Sequence, residues 1–236
     1  MTEKLSAEAL AENYAGVRQR LEGALRRAGR SPDDVTLLAA TKTVEPEVIN
    51  RAIALGITHI GENRVQELLS KETALLPVHR HFIGHLQTNK VKSVVGRVEM
   101  IESVHSLKLA REISSRSEKC GLCTDILLEV NIGGEEAKFG FAPSEVISAA
   151  EKVAEMPNLR LKGLMAIPPF DPERENTRKY FRKMYKLFID IGVEKLDNVS
   201  MDVLSMGMSG DFDIAAEEGA TLVRVGSALF GKRIYK

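Results

Sequence analysis

The sequence predicts an α/β protein, a single (β/α)8 TIM-type barrel with one extra N-terminal helix. Eight short apolar runs alternate with amphipathic stretches along the chain. These runs are apolar at both parities, as at 37–40, which is typical of parallel strands covered on both faces. Eight such units in a chain of 236 residues favour a closed barrel over the alternative, a doubly wound open sheet. The whole chain, 1–236, is expected to form this one domain.

The elements follow one another in a regular order. The extra helix is predicted over residues 7 to 28, because apolar residues recur there at spacings of three and four. Gly29 and Pro32 then end it. The predicted strands are 35–42, 57–63, 79–86, 100–104, 125–131, 159–167, 199–206 and 222–225. The predicted helices between them span 46–55, the stretch that ends at 69, 89–95, 107–118, 143–155, 175–191 and 212–218.

The bulk composition is that of an ordinary globular protein, with 44% hydrophobic and 28% charged residues. Lys plus Arg and Asp plus Glu both number 33, so no general attraction to nucleic acid or to an anionic membrane is expected. No apolar run approaches the roughly 20 residues of a membrane helix. Residues 1 to 6 carry no apolar signal core, and two cysteines are too few for a disulfide scaffold. The expected location is the cytoplasm.

The first predicted strand ends in a lysine, Lys42. In a barrel of this kind the functional groups lie at the C-terminal ends of the strands. Small and apolar residues precede Lys42, and desolvation among them favours the neutral amine, which is a nucleophile toward an aldehyde. In the alternative interpretation, Lys42 caps its strand and points into solvent.

Hydroxyl and glycine residues collect in the loops after the seventh and eighth strands. Barrels often bind phosphate at these two loops, where glycines let backbone N–H groups approach an anion. The alternative is a tight glycine turn in which Ser209 serves as a plain N-cap. The residues concerned are Ser205, Gly207, Ser209, Gly210, Gly226 and Ser227.

One arginine, Arg224, lies within the eighth strand. Because a buried guanidinium needs a partner, it faces either a ligand or an acidic side chain, for which Glu62 and Asp202 are candidates. Cys120 and Cys123 form a lone CxxC pair that we interpret as a surface loop. The five histidines show no metal-ligand spacing, so no metal site is predicted.

Several long motifs occur in order along nearly the whole chain. They are ATKT at 40–43, GENRVQE at 61–67, HFIGHLQTNK at 81–90, VNI at 130–132, KFG at 138–140, LSMGMS at 204–209, GAT at 219–221 and RVGS at 224–227. With these motifs the sequence resembles the pyridoxal phosphate homeostasis proteins, the YggS/PROSC family. The barrel of that family is similar to the N-terminal domain of alanine racemase and to fold-type III decarboxylases.

The resemblance implies a role for each motif residue. Lys42 would form a Schiff base with pyridoxal 5′-phosphate (PLP), and Arg224 would face the pyridine nitrogen. Ser205 or Ser209 and the Gly226–Ser227 turn would contact the phosphate. Threonine is expected more often at position 227, but serine carries the same hydroxyl. The residues expected to line the ring are Asn63, His85, Met165 and Met206.

The sequence favours a carrier or regulator in intracellular PLP homeostasis over an enzyme. PLP acts as an electron sink when an acidic partner keeps its pyridine nitrogen protonated, and Arg224 cannot accept a proton. Racemisation also needs a second base, which alanine racemase takes from a further domain of a partner chain. No such domain is expected after Lys236, and Tyr235 lies in a short tail. No catalytic residue is therefore assigned.

Two other functions stay open on the sequence. One is a fold-type III PLP enzyme such as an amino-acid racemase. The other is a barrel that binds another phosphorylated metabolite without a Schiff base. The expected partners are PLP and the apo PLP-dependent enzymes that would receive it, and the expected form is a monomer.

Overall fold

The computed structural model describes residues 5–231, which form a closed barrel of eight parallel strands in chain order. The predicted fold class is confirmed. Residues 1–4 and Tyr235, which entered the expectations about the chain ends, lie outside the described residues. The strands are β1 (Thr36–Ala40), β2 (His59–Glu62), β3 (His79–Phe82), β4 (Met100–Val104), β5 (Thr124–Val130), β6 (Leu159–Ala166), β7 (Val199–Ser205) and β8 (Leu222–Val225).

Helices connect the strands and cover the outside of the barrel. They are α1 (Ala7–Arg27), α2 (Pro46–Ala54), α3 (Val65–Lys71), α4 (Leu107–Lys119), α5 (Val146–Ala154), α6 (Arg174–Gly192), α7 (Phe212–Glu217) and α8 (Ser227–Phe230). The helix predicted at 89–95 is a 3₁₀ helix, Thr88–Ser93, and α8 was not predicted. Within residues 5–231, none of the helices is both long and apolar enough to cross a membrane.

Five predicted strands are longer than the observed ones, namely β1, β2, β3, β6 and β7. β1 ends at Ala40, because a turn closed by the Val44 N–H on the Thr41 carbonyl follows it. β3 ends at Phe82, where the chain turns toward the 3₁₀ helix. β4 and β8 have the predicted bounds. The expected position of Lys42 is therefore corrected, since it lies in the loop two residues past its strand.

The apolar character of both strand faces reflects two separate cores. Leu37 and Ala39 of β1 belong to the large cluster between the strands and the helices, whereas Leu38 and Ala40 point into the barrel. Successive strand residues point to opposite faces, so a strand covered on both sides must be apolar at both parities. Further apolar side chains fill the barrel interior: Ile83, Met100, Leu127, Met165 and Leu222.

Helix α1 closes one side of the barrel. Its buried face, which includes Leu10 and Leu21, packs against α7 and α8. Arg20 donates to Asp213 at 2.6 Å, and Arg30 donates to the Ala216 carbonyl at 2.7 Å. This helix therefore covers the barrel.

The contact between β6 and β7 requires a glycine at position 163. Gly163 has φ +149°, and a Cβ added there would lie 1.8 Å from the Val203 carbonyl oxygen. We expect Gly163→Ala to lower the free energy of unfolding by about 3 kcal/mol or more, because the strands must separate to admit the methyl group. Chemical denaturation measures this change.

Gly16→Ala is the matched control for that substitution. Gly16 is exposed on α1, and nothing lies within 4 Å of the added Cβ. Alanine should raise stability here by about 0.5–1 kcal/mol, because glycine disfavours a helix. Equal effects of the two substitutions would contradict the β6–β7 explanation.

Candidate functional site

A cavity of about 560 Å³ opens at the C-terminal end of the barrel. Its lining comes from the ends of β1, β2, β3, β6 and β8 and from the loops that follow β1 and β7. The lining residues are Ala40, Lys42, Asn63, Ile83, Ile167, Met208, Ser209, Gly210, Arg224, Gly226 and Ser227. Six of the ten predicted site residues are among them: Lys42, Asn63, Ser209, Arg224, Gly226 and Ser227.

Lys42 is half-buried in the wall of this cavity. This position differs from that of a strand cap that points wholly into solvent, the other interpretation of the sequence. The backbone around Lys42 is tightly held. Thr43 has the left-handed φ of +64°, which is uncommon outside glycine, and its N–H donates to Glu67. The lysine therefore lies on a fixed turn beside the cavity.

A buried ion pair lies beneath that turn. Glu62 Oε1 accepts from the Thr41 hydroxyl at 2.7 Å and from Lys71 Nζ at 2.8 Å. Burial raises the pKa of Glu62, although the hydrogen bonds from Lys71 and Thr41 act in the opposite direction. Its other oxygen, Oε2, is buried without a hydrogen-bond partner in the described part of the chain.

Backbone N–H groups converge on one oxygen at the opposite wall. The N–H groups of Gly226 and Ala228 both donate to Ser209 Oγ, each at 3.1 Å. Ser209 therefore does not act as the plain N-cap of α7; its hydroxyl links the β7 loop to the turn after β8. Two N–H groups directed at one oxygen form a place where an anionic oxygen is favoured.

Arg224 is buried between this wall and the barrel interior, with 4% of its surface exposed. Its guanidinium donates to the Ser205 hydroxyl and to the Ala166 carbonyl, the latter at 2.9 Å. Its nearest acidic group is Glu102, at 3.9 Å. The proposed pairing with Glu62 or Asp202 is wrong.

The two rejected partners are each paired elsewhere. Glu62 binds Lys71, and Asp202 accepts from Lys162 at 2.6 Å. Both therefore already have a cationic partner on a neighbouring element.

Glu102 is the fully buried centre of a polar network inside the barrel. It contacts His81 Nδ1 at 2.7 Å and accepts from Ser205 Oγ at 2.5 Å. Burial acts to raise the pKa of Glu102, but His81, Arg224 and Ser205 outweigh it and hold that pKa below its usual value. Burial lowers the pKa of Arg224, and the charges of Glu102, Asp211 and Glu129 oppose this change.

The other four predicted site residues lie outside the cavity lining. Ser205 has no exposed surface, because its hydroxyl bridges Arg224 and Glu102. Met165 and Met206 are buried in the apolar cores inside and outside the barrel. His85 is exposed and stacks on Phe139, with 3.8 Å between ring centroids. Three of these side chains are thus outside the lining because they are buried elsewhere, and His85 is outside it because it stacks on Phe139.

Glu102 and its partner His81 were not predicted from the sequence. Glu102 is the charged residue in a strand whose five residues are all buried. A carboxylate at an inward position of an apolar run was the signal that could have found it, because such a group needs a cationic or donor partner.

The remaining predictions concern cysteines and metals. Cys120 and Cys123 are exposed and free, in the loop after α4, as predicted. Among residues 5–231, no group of three His, Cys, Asp or Glu side chains is placed to hold a metal ion.

The cavity combines an amine, converging N–H groups and a guanidinium, which suits an anionic ligand that carries an electrophile.

Known proteins are similar to this chain in fold and in sequence. The family model of the alanine racemase N-terminal domain matches residues 5–234. The pyridoxal phosphate homeostasis protein of Aquifex aeolicus is 47% identical over 226 residues, which cover 95% of this chain and 98% of the relative. The crystal structure of a protein from Bifidobacterium adolescentis has a TM-score of 0.90 and 35% identity, and the match covers 98% of both chains.

A further structure contains a ligand. PipY of Synechococcus elongatus, with PLP bound, has a TM-score of 0.81 and 29% identity, and the match covers 94% of this chain and all of PipY. Both the family model and the Aquifex relative span nearly the whole chain. The chain therefore belongs to the pyridoxal phosphate homeostasis proteins, within the family of the alanine racemase N-terminal domain.

Proposed function

We propose that this chain binds PLP in the cavity as a Schiff base on Lys42 and acts as a carrier or regulator in PLP homeostasis. The observation that carries the proposal is that Lys42, the N–H groups gathered at Ser209 and Arg224 surround one cavity. An aldehyde, a phosphate and a pyridine nitrogen are the three groups of PLP that such a set would hold. The relatives named for PLP homeostasis and the PLP-bound PipY support this assignment.

The phosphate would bind where Ser209 Oγ now accepts from Gly226 and Ala228. Those N–H groups are already oriented toward a single oxygen, so a phosphate oxygen that replaces Ser209 Oγ, once that side chain rotates, would meet them without rearrangement of the backbone. Ser227 adds a hydroxyl at the same wall. A cavity of about 560 Å³ is within the usual range for a ligand of this size.

Arg224 would face the pyridine nitrogen and donate to it. Bound PLP supplies an electron sink only when that nitrogen is protonated, and a guanidinium cannot accept a proton to share. The negative charge of Glu102, 3.9 Å away, keeps Arg224 charged and in place. These residues would therefore hold the cofactor while they disfavour carbanion chemistry, which fits a carrier better than a racemase.

The proposal extends to partners and form. Apo PLP-dependent enzymes would receive the cofactor in the cytoplasm, and the monomer would be the acting form. Mixing the loaded protein with an apo-enzyme tests the first of these, since recovery of enzyme activity reports transfer.

The Schiff base is tested by absorbance. Wild-type protein mixed with PLP should show the visible band of a protonated Schiff base, and borohydride should fix the cofactor to Lys42, located by peptide mass. Lys42→Ala should show neither. Equal bands in the two proteins would contradict the assignment, and a colourless wild type would favour a barrel that binds another phosphorylated metabolite.

The phosphate contacts are tested by Ser209→Asp. A carboxylate can accept from Gly226 and Ala228 and keep the turn intact, but it repels phosphate. We expect PLP affinity to fall by roughly a hundredfold, with little loss of thermal stability. Ser6→Asp is the control, because Ser6 caps α1 through the Ala9 N–H, outside the cavity lining. A normal PLP affinity in Ser209→Asp would place the phosphate elsewhere.

The carrier assignment is tested by turnover. Wild-type protein saturated with PLP should give no appreciable racemisation of L-alanine, because Arg224 withholds the proton that carbanion stabilisation needs. Chiral chromatography after prolonged incubation measures this. Steady racemisation that disappears in Lys42→Ala would overturn the carrier assignment and establish an enzyme.

A further inference from the structure

We propose that Glu62, Glu67 and Lys71 form a clamp that positions Lys42 for reaction with the aldehyde. The proposal rests on the proposed function, because it concerns how that lysine is presented. The three residues lie on β2 and α3, and two of them hold the backbone on either side of the lysine. They contact the turn rather than the cavity, so they are positioning residues.

The first side of the clamp holds Thr41, the residue before Lys42. Lys71 Nζ donates to the Thr41 carbonyl at 2.9 Å, and Glu62 Oε1 accepts from the Thr41 hydroxyl at 2.7 Å. Lys71 and Glu62 also bind each other at 2.8 Å. Thr41 has no exposed surface, and Glu62 and Lys71 are 2% and 7% exposed. The hydroxyl and the carbonyl of Thr41 are thus both held by one buried ion pair.

The second side of the clamp holds Thr43, the residue after Lys42. Glu67 Oε2 accepts from the Thr43 N–H and also from Lys71 Nζ, the latter at 3.2 Å. A threonine at φ +64° is strained, since β-branched residues rarely adopt the left-handed region. The charge-assisted hydrogen bond that the Thr43 N–H donates to Glu67 offsets this strain and keeps the turn closed.

Stability alone does not explain the burial of these charges. A buried ion pair often stabilises a fold no better than apolar residues of the same volume. Here, however, Lys71 binds both carboxylates and the backbone carbonyl next to Lys42. The arrangement therefore fixes one short turn from two directions, as expected of a device that presents a single side chain.

Presentation matters because the reaction is demanding in geometry. The neutral amine of Lys42 bonds to the aldehyde carbon, the carbonyl oxygen leaves as water with the two amine protons, and nothing is oxidised or reduced. A misplacement of about 1 Å can cost up to a hundredfold in such a step. Phosphate binding at Ser209 and Gly226 involves other loops and does not need this turn.

The experiment compares two ligands in one variant. Glu67→Ala removes the acceptor for Thr43 at a partly exposed position, so the protein should fold. We expect its equilibrium constant for Schiff-base formation with PLP, measured from the visible band, to fall by about tenfold. This is the value of one hydrogen bond to a charged group. Pyridoxine 5′-phosphate carries an alcohol in place of the aldehyde, and its affinity, measured by calorimetry, should stay unchanged.

Asp190→Ala is the matched control. Asp190 forms an exposed i,i+4 pair with Lys186 at 2.7 Å on α6. Its replacement by alanine should change the binding of neither ligand. Glu67→Gln keeps an oxygen that accepts from Thr43 and should lose less than Glu67→Ala. The clamp would be refuted by a Glu67→Ala band equal to that of Asp190→Ala, or by equal losses for both ligands. Absence of the visible band in the wild-type protein would instead overturn the proposed function.

Discussion

Closure of the barrel between β8 and β1 is the constraint on which the site depends. Parallel pairing places Ala39 beside Val225, so the loops after the first and last strands meet although they lie at opposite ends of the chain. A Cβ added to Gly226 would lie 3.4 Å from the Ala40 carbonyl oxygen, a measure of how closely the two strand ends approach. Closure thus brings Lys42 and the turn that begins at Gly226 to one cavity.

The closed barrel also encloses charge, which shapes the floor of the cavity. A carboxylate with no exposed surface needs donors or a cation on the strands that surround it. Glu102 on β4 has hydrogen-bond partners on β3 and β7 and the charge of Arg224 on β8. Satisfying Glu102 commits Ser205 to the interior and holds Arg224 at the boundary of the cavity. The same carboxylate therefore explains why Ser205 lies outside the cavity lining, whereas Arg224 lies in it.

The features that hydrophobic periodicity and chain order determine were predictable from the sequence. The barrel, β4 and β8 followed from apolar runs, and the position of Lys42, Ser209 and Arg224 at the cavity followed from the rule that functional groups lie at strand ends. Partners across the barrel were not predictable in the same way. Whether Arg224 meets Glu62, Asp202 or Glu102 depends on register and tilt summed over several strands, which a single sequence does not express.

On the proposed function, the two attachments of PLP are held by different parts of the barrel. Lys42 depends on β1, β2 and α3, whereas the N–H groups at Ser209 depend on the loops after β7 and β8. The covalent bond can therefore break while the phosphate contacts persist. A carrier needs this division, because a cofactor released from Lys42 stays in the cavity until an acceptor takes it. An enzyme would instead need a protonated pyridine nitrogen, which Arg224 does not support because a guanidinium donates and cannot accept a proton.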